Sequence, residues 1–225
     1  NTRVDLMEDI LRMDISVGIV LFNPDIERLK ENIDAVIVQC THVYLVDNGS
    51  KNISEVLEML NGFNSSQFSV ILNSENQGIA KALNQLTIAA QKDGYEWILT
   101  LDQDSVSPSN IIDEFKNYTA YQNVGMLCPT IYDRNKGEKI KAREGCTEID
   151  ECITSGSLLN IEAWNNIGGF DENMFIDGVD FDICYRLRQN GYKILCIQSV
   201  VLLHELGRIE YHRFLFWRVL VKNHS

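Results

Sequence analysis

From Ile15 to Asp104 the chain alternates between two hydrophobic periodicities, and this alternation restricts the possible fold more than any other feature. Ile15–Phe22 is a nearly continuous apolar run of strand length, closed by Asn23 and Pro24. Ile26, Leu29, Ile33, Val36 and Ile37 then recur at helical spacing. Val43–Val46 is a second strand signal, ending in the turn-forming Asp47-Asn48-Gly49-Ser50. Ile53–Leu60 reads as a helix and Phe68–Leu72 as a strand. Ile79–Lys92 reads as a helix stopped by Asp93-Gly94, and Trp97–Leu101 as a strand running into Asp102. A β-α-β-α-β-α-β series with right-handed crossovers aligns four strand ends on one rim of a parallel sheet. Ligands of open α/β sheets bind on that carboxyl rim. The polar clusters fall there: Asn23, Asp47-Asn48, Asn73 to Gly78, and Asp102-Gln103-Asp104.

The second half is less regular. A helix is predicted over Ser109–Tyr121 and a strand over Val124–Cys128, followed by an exposed loop or hairpin over Lys136–Glu148. Ile153–Ile161 reads as a strand crossing behind the site. Asp180–Asn190 reads as a helix closed by Gly191, and Ile194–Leu203 as a strand ending at His204. Tyr211–Val221 is apolar and aromatic, with no clear period. No repeat, low-complexity segment or linker divides the chain. The expected organisation is a flanking segment, 1–14, and one α/β domain, 15–225, with a mostly parallel central sheet between helices.

Charge and composition exclude several functions. A net charge of -12 disfavours nucleic acid, whose phosphates demand a basic surface. It still permits a phosphate-bearing small molecule, because a bound metal inverts the local field. No apolar run reaches the length of about 18 residues expected of a membrane-spanning helix. The first ten residues hold three acids and no apolar signal core. Six cysteines without a CxxC pair fit reduced thiols and a cytoplasmic setting.

Asp102-Gln103-Asp104 is the sharpest chemical feature, since two carboxylates just past a buried strand can approach one hard cation, Mg²⁺ or Mn²⁺. A polar turn before a helix cap is the alternative. Asp47-Asn48 is either an Asn-Gly turn or a carboxylate offered to a nucleobase or ribose. Asn76-Gln77-Gly78, opening a helix, can contact phosphate or ribose, although no GxGxxG or P-loop is present. Asp177, Asp180 and Asp182 crowd one segment. Asp180 falls at a helix N-terminus, where the dipole favours its charge. Asp182 has Arg186 four residues on, so the trio is either capping plus an ion pair or the source of a general base. His204 is either a bonded structural residue or an imidazole ligand to a carboxylate-held metal.

In order along the chain these blocks resemble the family 2 glycosyltransferases of the GT-A fold, in their bacterial rhamnosyltransferase-like branch. The likeness runs from Val17-Gly18-Ile19-Val20-Leu21-Phe22-Asn23-Pro24 through Val46-Asp47-Asn48-Gly49-Ser50 and Asn76-Gln77-Gly78-Ile79-Ala80-Lys81-Ala82-Leu83-Asn84 to Leu101-Asp102-Gln103-Asp104. It continues in Thr154-Ser155-Gly156-Ser157, Ile167-Gly168-Gly169-Phe170-Asp171-Glu172, the Asp180 segment and His204. The resemblance implies a nucleotide-sugar half, 15–105, and an acceptor and catalytic half, 106–225. Asp47 then reads the base of a dTDP- or UDP-sugar. Phe22, Asn23, Asn48, Asn76, Gly78, Lys81, Asp102 and Gln103 complete the donor site, and Ser155-Gly156 forms its floor. Asp102, Asp104 and His204 hold the metal, and Asp180 is the base in inverting transfer of a hexose, rhamnose among the candidates, to a saccharide or lipid-linked saccharide acceptor of the cell envelope. The family often has Glu-Asp where Val179-Asp180 stands here, which keeps Asp177 in competition as the base. Relatives continue past a segment resembling His224-Ser225, so the resemblance implies a longer protein with peripheral association at the inner face of the membrane. A nucleotidyltransferase also uses carboxylate-held Mg²⁺, but the Gly-rich triphosphate loop it needs does not follow the first strand. A non-catalytic domain on the same fold is the remaining alternative.

Overall fold

A computed structural model describes residues 15–133, 143–204, 209–214 and 217–222. Three expectations fall wholly or partly elsewhere: the flanking 1–14, most of the loop at 136–148, and His224-Ser225. The first half follows the predicted alternation. β1 (Ile15–Leu21), α1 (Ile26–Ile37), β2 (Val43–Asp47), α2 (Ile53–Leu60), β3 (Phe68–Leu72), α3 (Ile79–Lys92) and β4 (Trp97–Asp102) succeed one another. All neighbouring strands in this half are parallel. α1 starts where the Asp25 side chain accepts a hydrogen bond from Arg28 N (3.0 Å), satisfying one orphan amide of the first turn.

The second half continues with α4 (Ile111–Thr119), β5 (Val124–Asp133), β6 (Cys146–Ile149), β7 (Ser157–Asn160), α5 (Ile161–Asn166), α6 (Val179–Gln189) and β8 (Lys193–His204). A separate antiparallel hairpin follows, β9 (Ile209–Phe214) with β10 (Trp217–Lys222). It gives Tyr211–Phe214 and Trp217–Val221 the strand conformation that periodicity left open. The main sheet has eight strands in the order β3-β2-β1-β4-β7-β5-β8-β6. β7 enters antiparallel between β4 and β5, and β6 closes the far edge antiparallel to β8.

Three predicted boundaries are corrected. The strand expected over Ile153–Ile161 is only Ser157–Asn160. A turn holds 154–157, with Ser157 N bonded to Thr154 O (3.0 Å), and Asn160 caps α5 by accepting from Ala163 N (2.8 Å). β5 runs five residues past Cys128, through Pro129, because the ladder to β8 slips between Pro129 and Thr130. A proline without an N–H is tolerated at such an irregularity. The C-terminal part of the expected 136–148 loop is β6, an edge strand.

Both sheet faces are covered, as parallel strands demand. Val17, Ile19 and Leu21 of β1, with Val43 and Leu45 of β2, pack toward Leu29 and Ile33 of α1, Val56 of α2 and Phe115 of α4. Tyr44 and Val46 face the other way, toward Leu83 and Leu86 of α3, Trp164 of α5 and Ile183 of α6. Burying each such side chain contributes about 1.5–3 kcal/mol. α3 sits close on β1 because residue 18 is glycine: a Cβ there would lie 3.0 Å from Leu86 Cδ1.

Candidate active site

The ends of β1 and β2 form one corner of the rim. Asn48 N donates to Leu21 O (2.7 Å) and Asn73 N to Asp47 O (2.9 Å), so the turn after β2 continues the sheet. The Asp47 side chain is 2% exposed. Its Oδ2 accepts from Gly49 N (3.2 Å) and Ser50 N (3.0 Å), while its Oδ1 is buried with no hydrogen-bond partner. A buried carboxylate oxygen is costly to leave without a donor. Gly49 is obligatory in this turn: its φ is 85°, and a Cβ would lie 2.8 Å from the Glu75 backbone.

Across the corner, Asn23 adopts a left-handed conformation (φ 47°). Its N–H donates to Ser50 Oγ (2.8 Å), and its Oδ1 accepts from Lys51 N (2.9 Å). Phe22 is 44% exposed, and its backbone is gripped by Gln103, whose Oε1 accepts from Phe22 N (2.8 Å) and whose Nε2 donates to Phe22 O (3.3 Å). The middle residue of Asp102-Gln103-Asp104 therefore clamps β1 to β4.

A file of amides forms the wall beside Asp47. Asn48 Nδ2 donates to Asn76 Oδ1 (2.8 Å) and Gly78 O (3.3 Å), and its Oδ1 accepts from Asn73 Nδ2 (3.2 Å) and Gln77 N (3.0 Å). Asn73 and Gln85 exchange two hydrogen bonds of 2.9 Å. Asn48 thus shapes the wall through contacts within the protein. Gly78 caps α3 with φ 85°, and Ile79 N donates to Phe175 O (2.7 Å). Lys81, in the first turn of α3, lies 3.8 Å from Glu172 Oε2.

At the end of β4, Asp102 N donates to Ser155 Oγ (3.0 Å), and Asp102 O accepts from Asn32 Nδ2 (2.7 Å). Ser155 also contacts Ser105 Oγ (3.0 Å), and Gly156 N donates to Thr100 O (2.7 Å). Ser155-Gly156 therefore underpins the strand end that carries the two aspartates. Asp104 is exposed and lines a hollow of about 320 Å³ with Asp25, Glu27, Arg28, Glu31 and Val106. His204 ends β8 in register with Asp133, and its side chain lies outside the described residues.

Asp180 occupies the first turn of α6, half-buried, and its Oδ1 accepts from Thr154 N (2.9 Å). The turn that underlies Asp102 thereby orients Asp180 as well. Asp177 is exposed. Asp182 is taken by Arg186, whose Nε donates to its Oδ2 (2.7 Å) and whose Nη1 holds Ile167 O (3.1 Å) and Gly169 O (2.6 Å). This is the expected structural pair. Asn173 donates from backbone and side chain to Asp171 and holds that carboxyl below its usual range.

Sequence reasoning named Asn73, Asn84 and Thr154 only within clusters or motifs and gave them no role. Asn84, inside a quoted motif but given no role, is a hub: its Oδ1 accepts from Phe170 N (2.8 Å) and Trp164 Nε1 (3.2 Å), and its Nδ2 donates to Phe170 O (3.0 Å) and Glu172 Oε1 (3.1 Å). An asparagine on the apolar face of a helix was the available signal. Thr154 acts through its backbone, which no side-chain pattern reveals.

Comparison with known proteins agrees with this geometry. The chain is 28% identical over 214 residues to the dTDP-rhamnosyl transferase RfbF of Shigella flexneri, covering 88% of this chain and 71% of that protein. Its fold superposes on GalNAc-T7 bound to UDP, GalNAc and Mn²⁺ (TM-score 0.68, 18% identity, 86% of this chain). It also superposes on S. aureus TarS 1-349 with UDP-GlcNAc (TM-score 0.67, 15% identity, 87% of this chain). The chain spans only 44% and 60% of those two structures. The sequence model of glycosyl transferase family 2 matches residues 16–186. With a parallel half-sheet, a rim of carboxylates and amides, and a match across most of its length, the chain belongs to glycosyl transferase family 2 and is an enzyme that transfers a sugar from a nucleotide sugar.

Proposed function

We propose that this enzyme transfers a hexose, with inversion, from a dTDP- or UDP-sugar to a hydroxyl of a saccharide or lipid-linked saccharide in cell-envelope polysaccharide synthesis, working in the cytoplasm at the inner membrane face. The observation that carries the nucleotide assignment is Asp47 Oδ1, a buried carboxylate oxygen without a partner on the ligand-binding rim. The imide N–H of thymine or uracil is the donor it lacks. The name of the Shigella flexneri relative favours dTDP-rhamnose.

In this reading the amide wall of Asn48, Asn73 and Asn76 keeps the base pocket in shape before the donor arrives, so little ordering cost remains at binding. Asp102 and Asp104 would offer carboxylate oxygens, and His204 an imidazole, to Mg²⁺ or Mn²⁺, and the backbone of Asp102 is fixed on both sides by Asn32 and Ser155. A cation held there supplies positive charge to the leaving diphosphate. Asp180, oriented by Thr154 N, takes the proton from the acceptor hydroxyl as its oxygen bonds to the anomeric carbon. The bond from that carbon to the diphosphate breaks on the opposite face, which inverts the configuration. No helix among the described residues is long and apolar enough to cross a membrane.

A thermal-shift panel of dTDP, UDP, CDP, ADP and GDP, each with and without Mn²⁺, tests the proposal. A ligand at 100 times its Kd stabilises the native state by about 2.7 kcal/mol. dTDP and UDP should raise the melting temperature above the other nucleotides, and more so with Mn²⁺. Equal shifts for all five would refute the assignment of Asp47.

A further inference from the structure

Four of the six cysteines converge beneath α6, and the mechanism uses none of them. They come from four places: Cys128 on β5, Cys152 in the link before β7, Cys184 on α6 and Cys196 on β8. Cys152 Sγ lies 3.9 Å from Cys184 Sγ and 3.3 Å from Met126 Sδ, and Cys128 contacts both Cys152 and Cys196. All are free thiols.

The members differ in what they can do. Cys152 is half-buried, whereas Cys128 and Cys184 are buried. Hydrogen bonds from Cys128 and Cys184 pull the Cys152 thiol below its usual range, and the same contacts push its two neighbours up. Cys196 is half-buried too, and its hydrogen bond to Cys128 lowers its thiol to about 6, so Cys152 and Cys196 are the two thiols of the cluster that an oxidant reaches first. Geometry decides between them. Cys128 and Cys196 face each other inside the β5·β8 ladder, which holds their backbones. Cys152 sits in an irregular link with its Sγ 3.9 Å from that of Cys184, so a shift of the link by about 2 Å would bring the two sulfurs to the bond length of about 2.05 Å.

The pair also straddles the base. Cys152 precedes Thr154 by two residues, and Cys184 follows Asp180 by one helical turn on the same face. The Thr154 N to Asp180 Oδ1 bond therefore joins the same two segments that carry the cysteines.

We propose that Cys152 and Cys184 form a peroxide-responsive disulfide that displaces Asp180 and lowers transfer; the effect on transfer rests on the function proposed above, and the disulfide itself does not. The Cys152 thiolate attacks one peroxide oxygen, giving a sulfenic acid, and the other oxygen leaves as hydroxide, which takes up the proton the thiol released and becomes water. Cys184 sulfur then attacks the Cys152 sulfur, and the sulfenic hydroxyl leaves with the Cys184 proton as a second water. Two thiols and one hydrogen peroxide become one disulfide and two waters. Reduction by a thiol reverses the bond.

The test is peptide mapping of the whole chain after hydrogen peroxide. Trypsin alone leaves Cys152 and Cys184 on one peptide, because no Lys or Arg lies between Glu144 and Tyr185. A second protease cutting after glutamate separates them at Glu162 and Glu172. A Cys152–Cys184 cross-linked pair is expected. Any other pairing, or a sulfenic or sulfinic acid without a cross-link, overturns the proposal whatever the chain transfers. Turnover of the oxidised enzyme should fall at least about tenfold, since a misplacement near 1 Å can cost about 100-fold. Dithiothreitol should restore it, and Cys184→Ala should resist the loss. Full turnover with the disulfide quantitatively formed overturns the link to Asp180.

Discussion

Replacing Asp47 by asparagine should change which base is bound while leaving the fold nearly as stable. The two oxygens of Asp47 have separate tasks. Oδ2 closes the turn through Gly49 N and Ser50 N, and Oδ1 is buried and unpaired. In Asp47→Asn the amide oxygen can keep both turn bonds, which puts an NH₂ group where the orphan oxygen stood. The turn bonds lose their charge assistance, but the burial of an ionised group is also removed. These terms oppose each other, and the unfolding free energy without nucleotide should change by less than about 1 kcal/mol.

Binding has no such compensation. The imide N–H of uracil or thymine loses an acceptor worth about 1.5–3 kcal/mol and meets a donor instead. The Kd for UDP and dTDP should rise about 10- to 150-fold. Cytosine presents an acceptor at the same ring position, so CDP should bind the variant better than it binds the parent. Isothermal titration of UDP, dTDP and CDP into both proteins, with urea unfolding of each, separates the outcomes. Unchanged UDP affinity in a folded variant would show that Oδ1 does not read the base. Loss of the fold would show that the carboxylate is needed for the turn itself.

Asp180→Asn should keep donor affinity and lower turnover by about 10²–10⁴-fold, with Asp177→Asn much milder; inactivity of the Asp177 variant alongside an active Asp180 variant would reverse the assignment. Asp102→Asn and Asp104→Asn should each weaken Mn²⁺-dependent binding of UDP or dTDP in titrations, because each removes a charged oxygen ligand; parent-like affinity in both would exclude them as the metal site. Gly156→Ala should destabilise the chain by about 2–4 kcal/mol in urea unfolding. Its φ is 79° and its Cβ would lie 2.5 Å from Leu202 Cδ2, so an unchanged midpoint would contradict that packing.

The first half was legible because each of its elements repeats one period long enough to recognise. α1, α2, α3 and β3 have the predicted boundaries, and β1, β2 and β4 differ by one residue. The rim followed from that alternation, since parallel strands aligned by right-handed crossovers share one carboxyl end. The second half has short elements whose limits depend on tertiary contacts. Nothing local stops β7 before Ser157: Thr100 Oγ1 holds Thr154 O (2.6 Å), and Gly156 turns because its Cα fits against Leu202. Within the site, residue identity pointed to Asp47, Asp102 and Asp180. It could not divide Asp47 into one satisfied and one unsatisfied oxygen, nor give Gln103 its hold on the Phe22 backbone, because both depend on chain segments far apart in sequence.

The two halves expected within the single domain, 15–105 and 106–225, interlock at the same points. β7 pairs with β4 through Trp97, Ile98, Leu99 and Thr100, so the strand that ends in Asp102 is built between segments of both halves. The turn before β7 supplies Ser155 to Asp102 N and Thr154 to Asp180. The segment before α6 supplies Phe175 O to Ile79 N, beside Gly78 on the amide wall, and Asn84 of α3 holds that segment at Phe170. Asp102 and Asp180 therefore share one four-residue turn, and the Gly78 wall shares a second segment with α6. A shift of either segment moves groups in both halves together. Residues 15–105 alone would lack the 154–157 turn behind Asp102 and the Phe175 carbonyl over α3, and both rim positions would lose the bonds that hold them.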